Sequence, residues 1–159
     1  MNKSLIIQQL LSNVQNDLNL ATEALESAKK FKFESDMKQE HKYDTRGIEA
    51  GYLSDGQAKR VEELQLELKL VEEIPLKNFL PDEEIGIGAL LEIEFNKQKR
   101  LYFLSTTSGG TMLNIEKQGV LVISVFSPIG SAVIWLNCGA TFELETQSGV
   151  REYTICSVN

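Results

Sequence analysis

The chain has 159 residues, a formal net charge of −7 and an ordinary apolar share of 42%. That length suits one large domain or two small ones, and no apolar run approaches the roughly 20 residues that span a bilayer. An acidic chain gains little affinity from counterion release, which disfavours direct nucleic-acid binding. Near the N-terminus Gln8, Gln9, Ser12 and Asn13 interrupt any signal-peptide core, so the expected location is the cytoplasm. The single histidine, His41, and two cysteines without CxxC context, Cys138 and Cys156, leave a zinc site almost no ligands. Both cysteines are expected to be buried free thiols in a reducing compartment.

Ile7, Leu11, Val14, Leu18, Ala21, Leu25 and Ala28 recur at alternating spacings of four and three, a sustained coiled-coil seam. Leu5, Ile6, Leu10 and Leu20 widen it, and Ser4 is a candidate N-cap. A second helix carries Ala50, Leu53, Val61, Leu64, Leu68 and Val71 at matching spacing, with Gln57 as a polar interruption. Two seams of similar length joined by a short polar segment predict an intramolecular antiparallel hairpin and a monomer, rather than a parallel dimer or an oligomerising scaffold. Helices of about 30 residues reach roughly 45 Å. Gly47, Gly51 and Gly56 make the tip end of the second helix the least rigid, because glycine costs roughly 1 kcal/mol against alanine in a helix.

The tip, residues 34–44, holds Glu34, Asp36, Glu40 and Asp44 among Lys38 and Lys42. Those residue types alone describe a solvated turn of mixed charge, with His41 exposed on it. Asp36 and Glu40 lie four apart, so on a helix they share a face and can both approach one ion.

Pro75 and Pro81 end the helical pattern and mark residues 75–83 as a linker between a hairpin domain, 1–74, and a second domain, 84–159. Beyond it, Leu91, Ile93 and Phe95 alternate with Glu92 and Glu94, as in a half-buried strand. Asn96, Lys97 and Gln98 read as a turn, and residues 100–104 as the returning strand. Residues 108–110 are a loop, and residues 120–126 are a continuous apolar run expected to be a central strand buried on both faces. Ser127 and Pro128 open a short helix as N-cap and first helical residue, with residues 132–136 as its apolar body. Trp135 reads as core or as the edge of a partner surface. Residues 141–146 and 151–158 form a last hairpin around Gln147, Ser148 and Gly149. The expected fold class is α+β: a helical hairpin, then a small, mostly antiparallel sheet with one short helix.

This order of parts resembles the bacterial GreA/GreB family of transcript-cleavage factors. SPIGSAVIW (127–135) after VISVF (122–126) looks like the family's SPI-then-helix segment. FELETQSGVREYTICSV resembles its closing hairpin, and DMKQEHKY (36–43) is similar to its tip sequence, followed by the glycine-aromatic pair Gly51 and Tyr52. The resemblance implies an FKBP-like C-terminal domain that docks on RNA polymerase through Ser127, Pro128, Ile129 and Gly130. It also implies a hairpin that enters the polymerase secondary channel. In the family, an aspartate and a glutamate three residues apart hold magnesium there. Asp36 fits the first position, Gln39 stands at the second, and Glu40 is the neighbouring substitute.

The implied magnesium is therefore held by Asp36 and Glu40 only within the polymerase, and no cofactor is expected in isolation. Gln39 is a neutral amide that supplies neither charge nor base. That departure opens a second reading, a non-cleaving regulator of the same channel. In either case the chain lends residues to a partner and is not itself an enzyme. A prolyl isomerase or chaperone is the remaining alternative, and it needs Tyr102, Phe103, Phe126, Trp135 and Phe142 to line one apolar cup.

Overall fold

The computed structural model describes residues 1–38 and 45–159. The chain divides into two compact units, one made of Leu11–Lys69 and the other of Met1–Leu10 with Leu70–Asn159. Two long helices, α1 (Lys3–Met37) and α2 (Arg46–Glu72), are followed by six strands and one short helix: β1 (Leu90–Phe95), β2 (Gln98–Ser105), β3 (Met112–Ile115), β4 (Gln118–Ser124), α3 (Pro128–Val133), β5 (Thr141–Thr146) and β6 (Gly149–Val158). The α+β expectation holds.

Within Leu11–Lys69, the covered positions on α1 fall every seven residues, at Val14, Ala21, Ala28 and Ser35. On α2 they are Ala50, Ser54 and Leu64, the last only 1% exposed. Each helix covers the other's seam. Near the tip, a Cβ added to Gly51 would lie 3.8 Å from Cε of Lys32, and the Arg46 guanidinium donates to the Lys38 carbonyl at 3.3 Å. The seam is narrower than the sequence pattern suggests. Leu20 and Leu53 are exposed, and Ser54 takes the covered position instead of Leu53. Alanine and serine take the covered positions, and these two leucines stay on the solvent side. The α1 N-cap is Asn2 rather than Ser4, because its Oδ1 accepts from the Ser4 N–H at 2.9 Å.

In the other unit the sheet order is β3-β4-β2-β1-β6-β5. All pairings are antiparallel except β2 with β4, which is parallel. The edge strand β3 lies in the crossover between those two, and its four residues gave no alternation long enough to read in advance. Tight turns at Asn96–Lys97 and Glu116–Lys117 have positive φ at both residues (51° and 60°, 52° and 68°), the geometry that matches strand twist in two-residue hairpins. One sheet face buries Leu91, Ile93, Leu104, Ile123 and Ile155, against which Ile129, Ala132 and Ile134 of the α3 region pack. Residues that alternate with these, Leu90, Phe103, Val120 and Val122, are buried too. Both faces are therefore covered, and the same unit also buries Ile6, Leu10, Val71 and Ile74.

The segment between the two prolines is tied down. Phe79 is buried, with the Lys3 ammonium 5.2 Å and the Lys77 ammonium 4.5 Å from its ring centroid. Lys77 pairs with Glu83. Lys3 is itself buried and donates to the carbonyls of Lys77, Gly88 (3.1 Å) and Asn159 (3.0 Å). Burial, and secondarily the charge of Lys77, hold its pKa below the ordinary lysine value. Nothing in the sequence pattern singled out Lys3.

Candidate functional site

The α3 region concentrates the unusual features. Ser127 caps α3 as its spacing predicts: its Oγ accepts from the Gly130 N–H at 3.1 Å and donates to the Ser124 carbonyl at 2.6 Å. Gly130 is required here by close approach, since a Cβ would collide with the Ser124 carbonyl. Pro128 is exposed, Ser127 and Ile129 are half-buried, and Gly130 is buried. Ile129 packs against the hydrophobic core. A charge placed at Ile129 therefore strikes the fold as well as any surface. Pro128 and the residues flanking the helix are what the surface presents.

Two aromatic residues bracket α3 and stand in solvent. Phe126 is 84% exposed and Trp135 67% exposed. Phe126 departs from the expected buried strand, and of the two readings of Trp135 its exposure excludes core. Strand β4 ends at Ser124 with Val125 still donating to the Ser105 carbonyl, and the chain then turns into α3 as the Phe126 N–H donates to the Ser124 hydroxyl and the Ser127 N–H to the Ser124 carbonyl. Helix α3 stops at Val133, and Trp135 lies in the left-handed region at φ 71°. The reason is local pinning. Trp135 N–H donates to the Ile85 carbonyl at 2.9 Å, and Ile85 N–H donates to the Leu136 carbonyl at 2.8 Å. These bonds replace the next helical turn and direct the indole outward. A bulky residue at positive φ is strained, and such strain clusters at functional positions.

Beside Trp135 lies a groove of about 550 Å³. Its walls include Ile74, Phe79, Ile85 and Thr106, with the carboxylates of Glu73 and Glu84 also lining it. The Thr106 hydroxyl is buried and meets no hydrogen-bond partner. Exposed aromatics next to an apolar groove with acidic residues can receive apolar and basic side chains of a protein partner.

At the other candidate site, Asp36 occupies the last turn of α1 and is exposed. Gln39, Glu40, His41, Lys42 and Asp44 lie outside the described residues. Among the described residues no three His, Cys, Asp or Glu side chains converge as a metal site. One exposed carboxylate does not meet magnesium's demand for several oxygens in octahedral geometry. The described residues thus do not by themselves fit the ion.

The five aromatics that an isomerase cup requires are not brought together. Tyr102 and Phe103 are neighbours on β2 and point to opposite faces, while Phe126 and Trp135 face solvent. The cysteines are half-buried rather than buried, and the Cys138 thiol lies 3.5 Å from the Cys156 carbonyl. No helix among the described residues is long and apolar enough to cross a membrane.

No protein-family model and no curated protein matches the chain. Among solved structures it is similar to the transcription factor Gfh1, at 19% identity and TM-score 0.42, over 94% of this chain and 93% of that one. It is similar to the GreA factor homolog 1 (Gfh1) protein of Thermus thermophilus at 20% identity and TM-score 0.38, over 94% of each chain. The prokaryotic transcription elongation factor GreA/GreB from Nitrosomonas europaea is similar at 17% identity and TM-score 0.37, over 83% of this chain and 93% of that one.

Proposed function

We propose that the protein is a cytoplasmic transcription elongation regulator that binds bacterial RNA polymerase as a monomer, docking through the α3 region and inserting its helical hairpin into the secondary channel. The observation that carries this reading is the exposure of Phe126 and Trp135 at the two ends of α3. That helix lies in the stretch whose sequence resembles the family's docking segment. A monomer in water gains nothing from holding two large aromatics out of its core, whereas an interface does. The resemblance of residues 36–43 to the family tip supports insertion of the hairpin.

The protein lends side chains to the polymerase and catalyses nothing alone. Asp36 is the carboxylate it brings on α1. With an amide at Gln39, regulation without strong transcript cleavage is the favoured form of the activity.

The test is binding to purified core RNA polymerase. Serine at both Phe126 and Trp135 weakens binding by more than about tenfold, since a buried aromatic anchor contributes roughly 2 kcal/mol or more. Wild-type affinity in that double variant removes α3 from the interface, and no binding by the wild type ends the reading. In backtracked complexes, Gln39→Glu raises cleavage and Asp36→Ala abolishes whatever cleavage the wild type supports while binding persists. Strong wild-type cleavage that survives loss of both Asp36 and Glu40 refutes the tip assignment.

A further inference from the structure

At the far end of the β1–β2 hairpin is a second concavity, of about 240 Å³. Side chains two apart on a strand share a face, and here three strands each contribute such a pair: Ile93 with Phe95, Arg100 with Tyr102, and Arg151 with Tyr153. The Phe95 and Tyr153 rings pack at a centroid distance of 5.0 Å and make an apolar floor. The Arg151 guanidinium lies 5.2 Å from the Phe95 centroid, which holds it at the wall. No carboxylate lines the concavity. Among the described residues, neither Arg100 nor Arg151 has an ion-pair partner. Two unneutralised guanidiniums in one hollow are a costly arrangement in a chain whose net charge is −7.

The Tyr102 ring is buried, and burial pushes its phenol pKa up against the smaller opposing effect of Arg100. It therefore stays protonated at neutral pH and keeps a hydrogen to donate. The side-chain amide of Gln98 adds further donors.

We propose that this hollow is a binding site for the phosphate dianion of a small phosphate monoester, held between Arg100 and Arg151 with Tyr102 as an additional donor, its attached ring resting near Phe95 and Tyr153. Two guanidinium forks match the charge and the several acceptor oxygens of a phosphate better than those of a single carboxylate. The volume lies below the roughly 300–1,000 Å³ of drug-sized sites, so it admits one phosphate and one ring-sized group and no macromolecular segment of any length. This site is on different residues from the polymerase surface and stands or falls without it.

The experiment is titration of the full chain with phenyl phosphate, inorganic phosphate and benzoate, followed by amide and arginine side-chain NMR shifts. Phenyl phosphate is expected to bind most tightly, moving signals of Arg100, Arg151 and Tyr102. Arg100→Gln and Arg151→Gln each weaken it by about tenfold or more, the loss of a hydrogen bond to a charged group. Arg151→Lys is intermediate because it keeps charge and loses the fork. Both arginines reach solvent, and an unchanged thermal transition separates loss of the site from loss of the fold. Three results overturn the proposal: no shift at about millimolar probe, binding that survives the double Gln variant, or benzoate binding as tightly as phenyl phosphate. The last assigns the hollow to a carboxylate, such as the acidic side chain of a protein.

Discussion

The two units are built from different materials. Among the described residues, only Leu64 of the twelve largest fully buried side chains belongs to Leu11–Lys69, while Phe103, Ile85, Leu91, Ile93, Leu104, Leu113 and Ile155 lie in the sheet unit. The hairpin instead covers Val14, alanines, serines and a single leucine layer along its seam. At about 25 cal/mol per Å² of apolar surface, alanine burial contributes little beyond the helix's own hydrogen bonds. The difference teaches that the sheet unit carries the stability, and that the hairpin spends its sequence on length. Segments of low local stability are also those recruited to move on binding.

The comparison is tested most severely by truncation. Phe103→Ala is expected to destabilise the sheet unit by about 3–5 kcal/mol, because the aromatic is wholly buried and its neighbours cannot collapse into the space. Leu64→Ala removes the hairpin's one large layer and costs about 2–5 kcal/mol. The two are separable in denaturant, since the only tryptophan, Trp135, reports on the sheet unit while far-UV circular dichroism is dominated by α1 and α2. A Leu64→Ala shift of equal size in both signals would merge the two units into one cooperative block.

A smaller effect is expected at Lys3. Lys3→Met leaves three carbonyls without their donor and costs about 1–3 kcal/mol. The pH dependence sharpens the assignment. Because the folded pKa of Lys3 is lowered, the unfolded chain binds more protons between that pKa and the ordinary value of 10.5. Wild-type stability therefore gains with rising pH across that window relative to Lys3→Met, and the two variants run parallel below it. Parallel curves throughout would mean that the ammonium is not desolvated.

The smallest effect is at the hairpin surface. Tyr52→Ala, at a residue 73% exposed on α2, changes stability by no more than about 0.5 kcal/mol. A larger loss in circular dichroism would show that the distal hairpin has a covering the described residues do not provide.

Periodicity by itself determined the helical pair, its antiparallel seam, the break at Pro75, the Asn96–Lys97 turn, the closing hairpin and the Ser127 cap. Each is a local pattern, written by side-chain spacing or by backbone chemistry within a few residues. The segment around α3 and the carboxylate Asp36 were singled out by the family resemblance of their motifs and not by periodicity. Only tertiary structure decided which seam positions are covered: Ser54 is buried while Leu53 beside it is exposed, which the apolar pattern alone would have reversed. Tertiary structure placed β2 parallel to β4 across an intervening edge strand, a pairing between residues some twenty apart that no local alternation records. It turned Phe126 and Trp135 outward, because hydrogen bonds from Ser127 back to Ser124 and from Trp135 to Ile85 end the strand and the helix early. Lys3 and the Arg100–Arg151 hollow were illegible for the same reason. Their meaning lies in distant carbonyls and in three strands that share a face, and a lysine or arginine carries no mark in the sequence of what it will be folded against.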